Sequence, residues 1–182
     1  LIPLYALNEN GYKRIIELSS LSYLNDIEIN EPYLNFNELL KPNEGVSLFS
    51  GSINGLFGQL FEKGKFKEIE KLYSDLKSLY KDRFYIEIQR HGDTNEKGFE
   101  KFNLSKSLTL EIPLIATNEV YYIDKNMHEA HDALICIKDK SYVNEKNRVR
   151  LSDQHYLKNN SEMSELFADL PEALKNNYNF PY

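Results

Sequence analysis

The chain has 182 residues, 28 acidic against 22 basic side chains, a formal charge of -6 and one cysteine. That length can bury a core and is most economically one domain with a small appendage. The acid excess argues against a surface that grips a phosphate backbone unaided, and the lone Cys136 excludes an internal disulfide and reads as a small buried hydrophobe.

In chain order, Ile2 to Leu7 reads as a strand, begun at an edge by Pro3. Asn8 to Asn10 precede Ile15, Ile16 and Leu18 and predict a helix from about Gly11 to Tyr23. Asn25 to Asn37 lacks a sustained period and is expected to be a surface connection. Phe36 to Leu40 then makes one or two helical turns, closed by Pro42. Gly45 to Gly51 is a short strand bounded by glycines. The Ser52-Ile53-Asn54-Gly55 that follows fits neither GxxxxGK[ST] nor GxGxxG, so a tight strand-to-helix turn is preferred to a phosphate cradle. Leu56, Phe57, Leu60 and Phe61 form a helical face ending at Gly64, and Phe66 to Tyr80 keeps a helical apolar period with lysines and acids opposite. Phe84 to His91 alternates, with Phe84, Ile86 and Ile88 on one face and Tyr85, Glu87, Gln89 and His91 on the other. That polar row faces a site or water, water being favoured. Gly92 to Lys97 is a loop and Phe99 to Leu110 a helix.

Ile112 to Ile137 organises the rest. Leu114 to Thr117 reads as a buried strand, and Asn118 and Glu119 stand where it ends, the side that faces the ligand crevice in α/β folds. Asp124 then precedes Met127, Ala130, His131, Leu134, Ile135 and Ile137, an apolar helical face expected to pack inward. The succession of elements predicts an α/β fold with mostly parallel neighbours. Past Lys138 the pattern changes. Val143 to Leu151 looks extended and polar, Ser161 to Ala168 is a helix opening on Ser161-x-x-Ser164, and Pro171 starts a last one. We therefore divide the chain into residues 1–138 and a helical and extended C-terminal segment, 139–182, which docks on the first part or leads to another domain.

Chemistry is sparse. His128 and His131 are three apart, whereas HExxH needs four, so packed or capping roles are favoured. His91 and Glu87 are better placed, as i and i+4 of one strand face, with Glu119 a third ligand if its strand is a neighbour. Two ligands do not hold a metal. Cys136 is mid-helix and no serine lies in a G-x-S-x-G elbow, so no nucleophile is assigned.

Longer stretches add a resemblance. Ala116-Thr117-Asn118-Glu119, Met127-His128-Glu129-Ala130-His131-Asp132-Ala133-Leu134-Ile135-Cys136-Ile137 and Glu165-Leu166-Phe167-Ala168-Asp169-Leu170-Pro171-Glu172-Ala173-Leu174 strongly resemble bacterial replicative DNA polymerase III alpha subunits. So do Leu7-Asn8-Glu9-Asn10-Gly11-Tyr12, Leu48-Phe49-Ser50-Gly51 and Phe84 to Gly92. The match is to their PHP (polymerase and histidinol phosphatase) domain and the segment leading out of it. The resemblance implies part of a distorted barrel of seven β/α units, lacking the early strand that carries a His-x-His ligand motif. His91 falls on a family ligand position. Where metal-binding members carry Asn-Asp-x-His, this chain has Asn118-Glu119-Val120-Tyr121, and a phenol ligates poorly at neutral pH.

His91, Glu119 and Tyr121, with Glu87 nearby, are thus expected to be vestigial site positions, with no catalytic residue, metal or other cofactor in this chain. The resemblance places the magnesium-binding polymerase centre outside it. It implies as partners the remainder of an alpha subunit, a proofreading exonuclease subunit and other replicase subunits, with DNA met through the parent protein. A metal-dependent phosphoesterase or 3'-5' exonuclease is the alternative. No apolar run approaches the ~20 residues that span a bilayer, and no signal peptide is evident, so a cytoplasmic protein without membrane contact is expected. Leu1 opens in an apolar run and the chain stops on Phe180-Pro181-Tyr182, as an excised piece or a processed chain would.

Overall fold

The computed structural model describes residues 1–24, 32–41 and 43–181. The first part of the expected surface connection, Asn25 to Glu31, and the Pro42 stop lie outside the described residues. Strand β1 (Leu4–Ala6) leads into helix α1 (Glu9–Leu24). The helix starts ahead of its apolar face because Asn8 Oδ1 accepts the Gly11 N–H at 3.0 Å. Gly11 is there for contact: a Cβ on it would lie 1.8 Å from the carbonyl oxygen of Gly45, itself at φ +75. The two glycines seat α1 on the start of strand β2 (Val46–Phe49).

Helices α2 (Leu56–Glu62) and α3 (Phe66–Tyr80) cross to strand β3 (Phe84–Ile88), and α4 (Glu96–Leu110) crosses to β4 (Leu114–Ala116). The four strands lie in the order β1-β2-β3-β4. β1 is antiparallel to β2, with Leu4 opposite Leu48, and the other neighbours are parallel, with Leu48 opposite Phe84 and Ile86 opposite Leu114. The fold is therefore α/β with a mixed sheet, open among the described residues. Every residue of β2 and β3 is buried. One face packs Phe57, Tyr73, Tyr80 and Phe84, all 0 % exposed, into a single cluster, and each such side chain stabilises by about 1.5–3 kcal/mol. Tyr80 is accommodated because its hydroxyl donates to Leu39 O at 3.0 Å and accepts from Asn43 Nδ2 at 2.8 Å.

The chain then forms α5 (His128–Asp139), α6 (Asn160–Leu166) and α7 (Pro171–Asn179). Two expectations need correction. The Met127, Leu134 and Ile137 face of α5 is 43 %, 63 % and 74 % exposed, whereas Asp132 and Cys136 are the buried positions. Asp132 turns inward because Arg148 clamps both its oxygens, at 2.5 and 2.6 Å, and that ion pair rotates the helix away from its apolar stripe. Helix α6 is capped by Asn159, whose Oδ1 accepts from Ser161 and Glu162 N–H at 2.9 and 3.0 Å while Glu162 Oε2 accepts from Asn159 N–H at 2.8 Å. The box is thus Asn159 with Glu162, not Ser161 with Ser164, since the reciprocal bond of a capping box needs a Glu or Gln side chain three residues after the cap.

The tail is welded to the sheet. Phe167 and Ala173 belong to the same cluster as Leu48 and Ile86, so the hydrophobic core runs across the division after Lys138. Phe180 joins Phe49, Tyr85 and Ile115 on the opposite sheet face. Along the free edge of β4, Asn176 Nδ2 donates to Leu114 O and Asn177 Nδ2 to Ala116 O, each at 2.7 Å. Two side chains thereby satisfy carbonyls that another strand would otherwise pair. Replacing both with alanine should cost about 2 kcal/mol, one modest hydrogen bond each, measured as a lowered urea midpoint. Unchanged stability would show that these bonds do not hold the edge.

Candidate functional site at the strand ends

The carboxyl ends of β3 and β4 carry the titratable groups, and the backbone sends them in two directions. β3 ends at Ile88, and the chain bends to Gly92 at φ +80. The i, i+4 relation expected for Glu87 and His91 therefore fails, since it holds only while the strand continues. The polar row is also not solvated: Glu87 is 5 % and His91 2 % exposed.

Glu87 looks into a cavity of about 280 Å³ shared with Gln89, Thr117, Asn118 and Glu119. Its Oε1 accepts from Thr117 Oγ1 and, at 2.9 Å, from Gln89 Nε2. Burial pushes its carboxyl up, against the lowering effect of those hydrogen bonds. Glu119 spends its carboxylate on the Tyr121 hydroxyl at 2.8 Å. Burial first, and then that bond to a carboxylate, push the Tyr121 phenol up to about 12, so it remains a protonated donor at neutral pH.

His91 faces the other way, onto a groove with Arg90, Glu96 and Gln154. Its Nδ1 meets Glu96 Oε1 at 3.3 Å, and its Nε2 lies 3.2 Å from the Glu119 N–H and 3.1 Å from Asn118 Oδ1. Glu96 also accepts the His91 and Gly92 backbone N–H groups, at 2.8 and 2.7 Å. Burial raises its carboxyl, but the hydrogen bonds from His91 and Gly92 win and hold it below the usual range. The His91 ring stacks on that of His155, centroids 4.0 Å apart and 4° from parallel. His155 is 0 % exposed; its Nδ1 donates to Glu119 O at 3.0 Å and its Nε2 faces Asp93 Oδ2 across 3.7 Å, an ion-pair separation.

Among the described residues, His91, Asp93 and His155 are the group of His, Cys, Asp or Glu whose ligand atoms lie within 4.8 Å of one another. Glu87 and Glu119 are not in it. Three donors are the least that hold a catalytic zinc; His155 Nε2 has no hydrogen-bond partner and the Asp93 carboxylate meets only that nitrogen, across 3.7 Å, whereas both ring nitrogens of His91 are engaged. His91 would have to give up the Glu119 amide or Glu96 to ligate, so the trio fits a cation poorly as arranged.

The other expected candidates have structural partners. His128 Nε2 donates to Leu151 O at 2.9 Å, His131 stacks near Tyr121 with centroids 5.4 Å apart, and Cys136 is buried. Asp93, Glu96 and His155 were missed by the sequence reading. Asp93-x-x-Glu96 ahead of an apolar helix is a helix-start pattern that marks the two acids. His155 sits in a segment without periodicity and has no local signal.

Two comparisons bear on this geometry. The PHP domain family matches residues 2–91, which take in β1 to β3 and His91. Relatives covering nearly the whole chain are DNA polymerase III alpha subunits: 39% identical over 175 residues in Caulobacter vibrioides, 36% over 179 in Rickettsia bellii and 33% over 176 in Vibrio cholerae. This chain is a PHP-domain homologue of the DNA polymerase III alpha subunits. The alignments take in 96%, 98% and 96% of it but 15% of each relative's length. The similarity to the alpha subunits therefore runs well past residue 91, where the PHP family match ends. No described helix is long and apolar enough to cross a membrane.

The ion pair of this PHP-domain homologue carries a pH dependence. Burial lowers His155, but the Asp93 carboxylate and the Glu119 carbonyl outweigh it and raise the imidazole above 6.5. His155 in turn holds the Asp93 carboxyl below 3.8. The histidine's contribution is full below 6.5 and is lost as pH rises through its raised value; the aspartate's is full above 3.8 and is lost as pH falls through its lowered value. Between these limits the pair should add on the order of 1 kcal/mol. The stability gap between wild type and His155→Gln should shrink as pH is raised from about 6 to 9. A gap that widens with pH would show that His155 folds neutral.

Proposed function

We propose that this chain is the PHP-domain portion of a replicative DNA polymerase III alpha subunit and serves as a folded scaffold for it. In this reading the four strands are the later part of a distorted seven-unit barrel, and residues 139–182 lead from it towards the polymerase core. The observation that carries the scaffold role is that most strand-end groups bond to one another, with Glu87 Oε2, Gln89 Oε1 and His155 Nε2 the buried atoms there left without a protein partner. Glu87, Glu96, Glu119 and Tyr121 are each hydrogen-bonded within the chain, and both ring nitrogens of His91 are engaged. Such closure favours architecture over turnover, because a ligand would have to displace protein partners it must then replace.

Template-directed DNA synthesis then belongs to the parent protein, with magnesium bound beyond this segment. The partners are the remainder of the subunit, a proofreading exonuclease and other replicase subunits, in the cytoplasm. The charge of -6 agrees with DNA being held elsewhere. Purified alone and supplied with primed template, magnesium and deoxynucleotides, the chain should extend no primer, while a full-length alpha subunit does so in parallel. Extension by the chain would overturn this reading.

A second reading, a metal-dependent phosphoesterase or 3'-5' exonuclease, draws on the His91, Asp93 and His155 group. It requires stoichiometric zinc or manganese by elemental analysis, and phosphodiester hydrolysis that His91→Ala and a chelator both abolish. The scaffold reading expects neither metal nor hydrolysis.

A further inference from the structure

Three buried polar atoms without a partner belong to side chains that line one place: Glu87 Oε2, Gln89 Oε1 and Asn103 Nδ2. Their side chains border a narrow pocket of about 10 Å³, lined also by Ser52, Ile88 and Phe99. The orientations are set from outside the pocket. Gln89 presents its oxygen because its Nε2 donates to Glu87 Oε1 and to Thr117 Oγ1, at 2.9 and 3.0 Å. Asn103 presents its nitrogen because its Oδ1 accepts the Tyr73 hydroxyl at 3.0 Å.

Leaving three such atoms unpaired is unfavourable, because each gives up its hydration without a replacement. A pocket of this size admits one water and nothing larger. A water molecule offers two hydrogens and two lone pairs, and the lining atoms are two acceptors and one donor. A metal ion is excluded by the same list, since the Asn103 N–H would point at it and one carboxylate oxygen is too little compensation. We infer that a single internal water molecule binds here, donating to Glu87 Oε2 and Gln89 Oε1 and accepting from Asn103 Nδ2.

The consequence reaches beyond one solvent site. With this water, a continuous hydrogen-bonded path runs from Tyr73 on α3 through Asn103 on α4 to Glu87 on β3 and Thr117 just after β4. It ties two helices to two strands at the mouth of the sheet. It also leaves no free oxygen on Glu87, the one carboxylate that is both deep in the fold and next to the 280 Å³ cavity.

A crystal structure of this chain that orders internal solvent tests the assignment directly. We expect a density peak within about 3.2 Å of all three atoms. Solution NMR gives an independent reading: the Asn103 side-chain amide should show a cross-peak to water of the sign produced by a long-lived bound molecule. A refined map with no peak in the pocket overturns the inference. So does Glu87 Oε2 bonded directly to Gln89 or Asn103, or an Asn103 amide with no cross-peak to bound water.

Discussion

Two strands of this protein are buried along their whole length, and the fold depends on what that burial demands at their carboxyl ends. A parallel strand covered on both faces delivers polar side chains and backbone groups into a place with little water, where each unpaired group costs about 1–3 kcal/mol. β3 and the residues just after it deliver Glu87, Gln89 and His91, and each finds at least one partner outside the strand, although Glu87 Oε2 and Gln89 Oε1 have none within the protein. Thr117 comes from the end of β4, Glu96 from the first turn of α4, and Glu119 from the turn after β4. The strand ends are therefore held together by one another, and the residues that look most like a catalytic centre are also the clasp of the sheet.

The C-terminal segment answers the same demand. Arg90 follows β3 and reaches Glu100 on α4 at 2.5 Å, Asp169 at 2.7 Å and the Leu166 carbonyl at 2.6 Å, with the Phe167 ring beneath it at 4.8 Å. One guanidinium so joins the strand end, a crossover helix and the tail, in the forked geometry that arginine alone supplies. Asn176 and Asn177 then close the edge of β4. A segment that looked like an appendage by its change of pattern is bound by core packing, an ion-pair fork and edge hydrogen bonds together.

This arrangement separates homology from activity. Histidines and acids gather at the strand ends of this PHP-domain homologue, and most of those present are engaged in internal bonds. Tyr121 donates its hydroxyl to Glu119, which occupies a carboxylate oxygen at the end of β4. The stacked His91 and His155 rings, neighboured by Asp93 and Glu96, are the nearest approach to a ligand set; both ring nitrogens of His91 are engaged, and His155 Nε2 faces only Asp93. Membership of a fold family does not by itself fix what the residues at the strand ends do.

The amino-acid sequence by itself determined the succession of elements, the α/β class, the α3 face from Phe66 to Tyr80, the start of α7 at Pro171 and the family. Each rests on neighbours within a few residues or on long ungapped motifs. Only the tertiary structure decided which way side chains face once local periods end or a distant partner intervenes. The inward turn of Asp132 depends on Arg148, sixteen positions away, and overrides an apolar stripe of correct spacing. The parting of Glu87 from His91 depends on where β3 stops, and the arrival of His155 beside His91 on a contact across 64 positions that carries no local mark. Periodicity reports the shape of a segment, whereas a site is made where segments meet, and the energy of that meeting is shared among residues that no spacing rule connects.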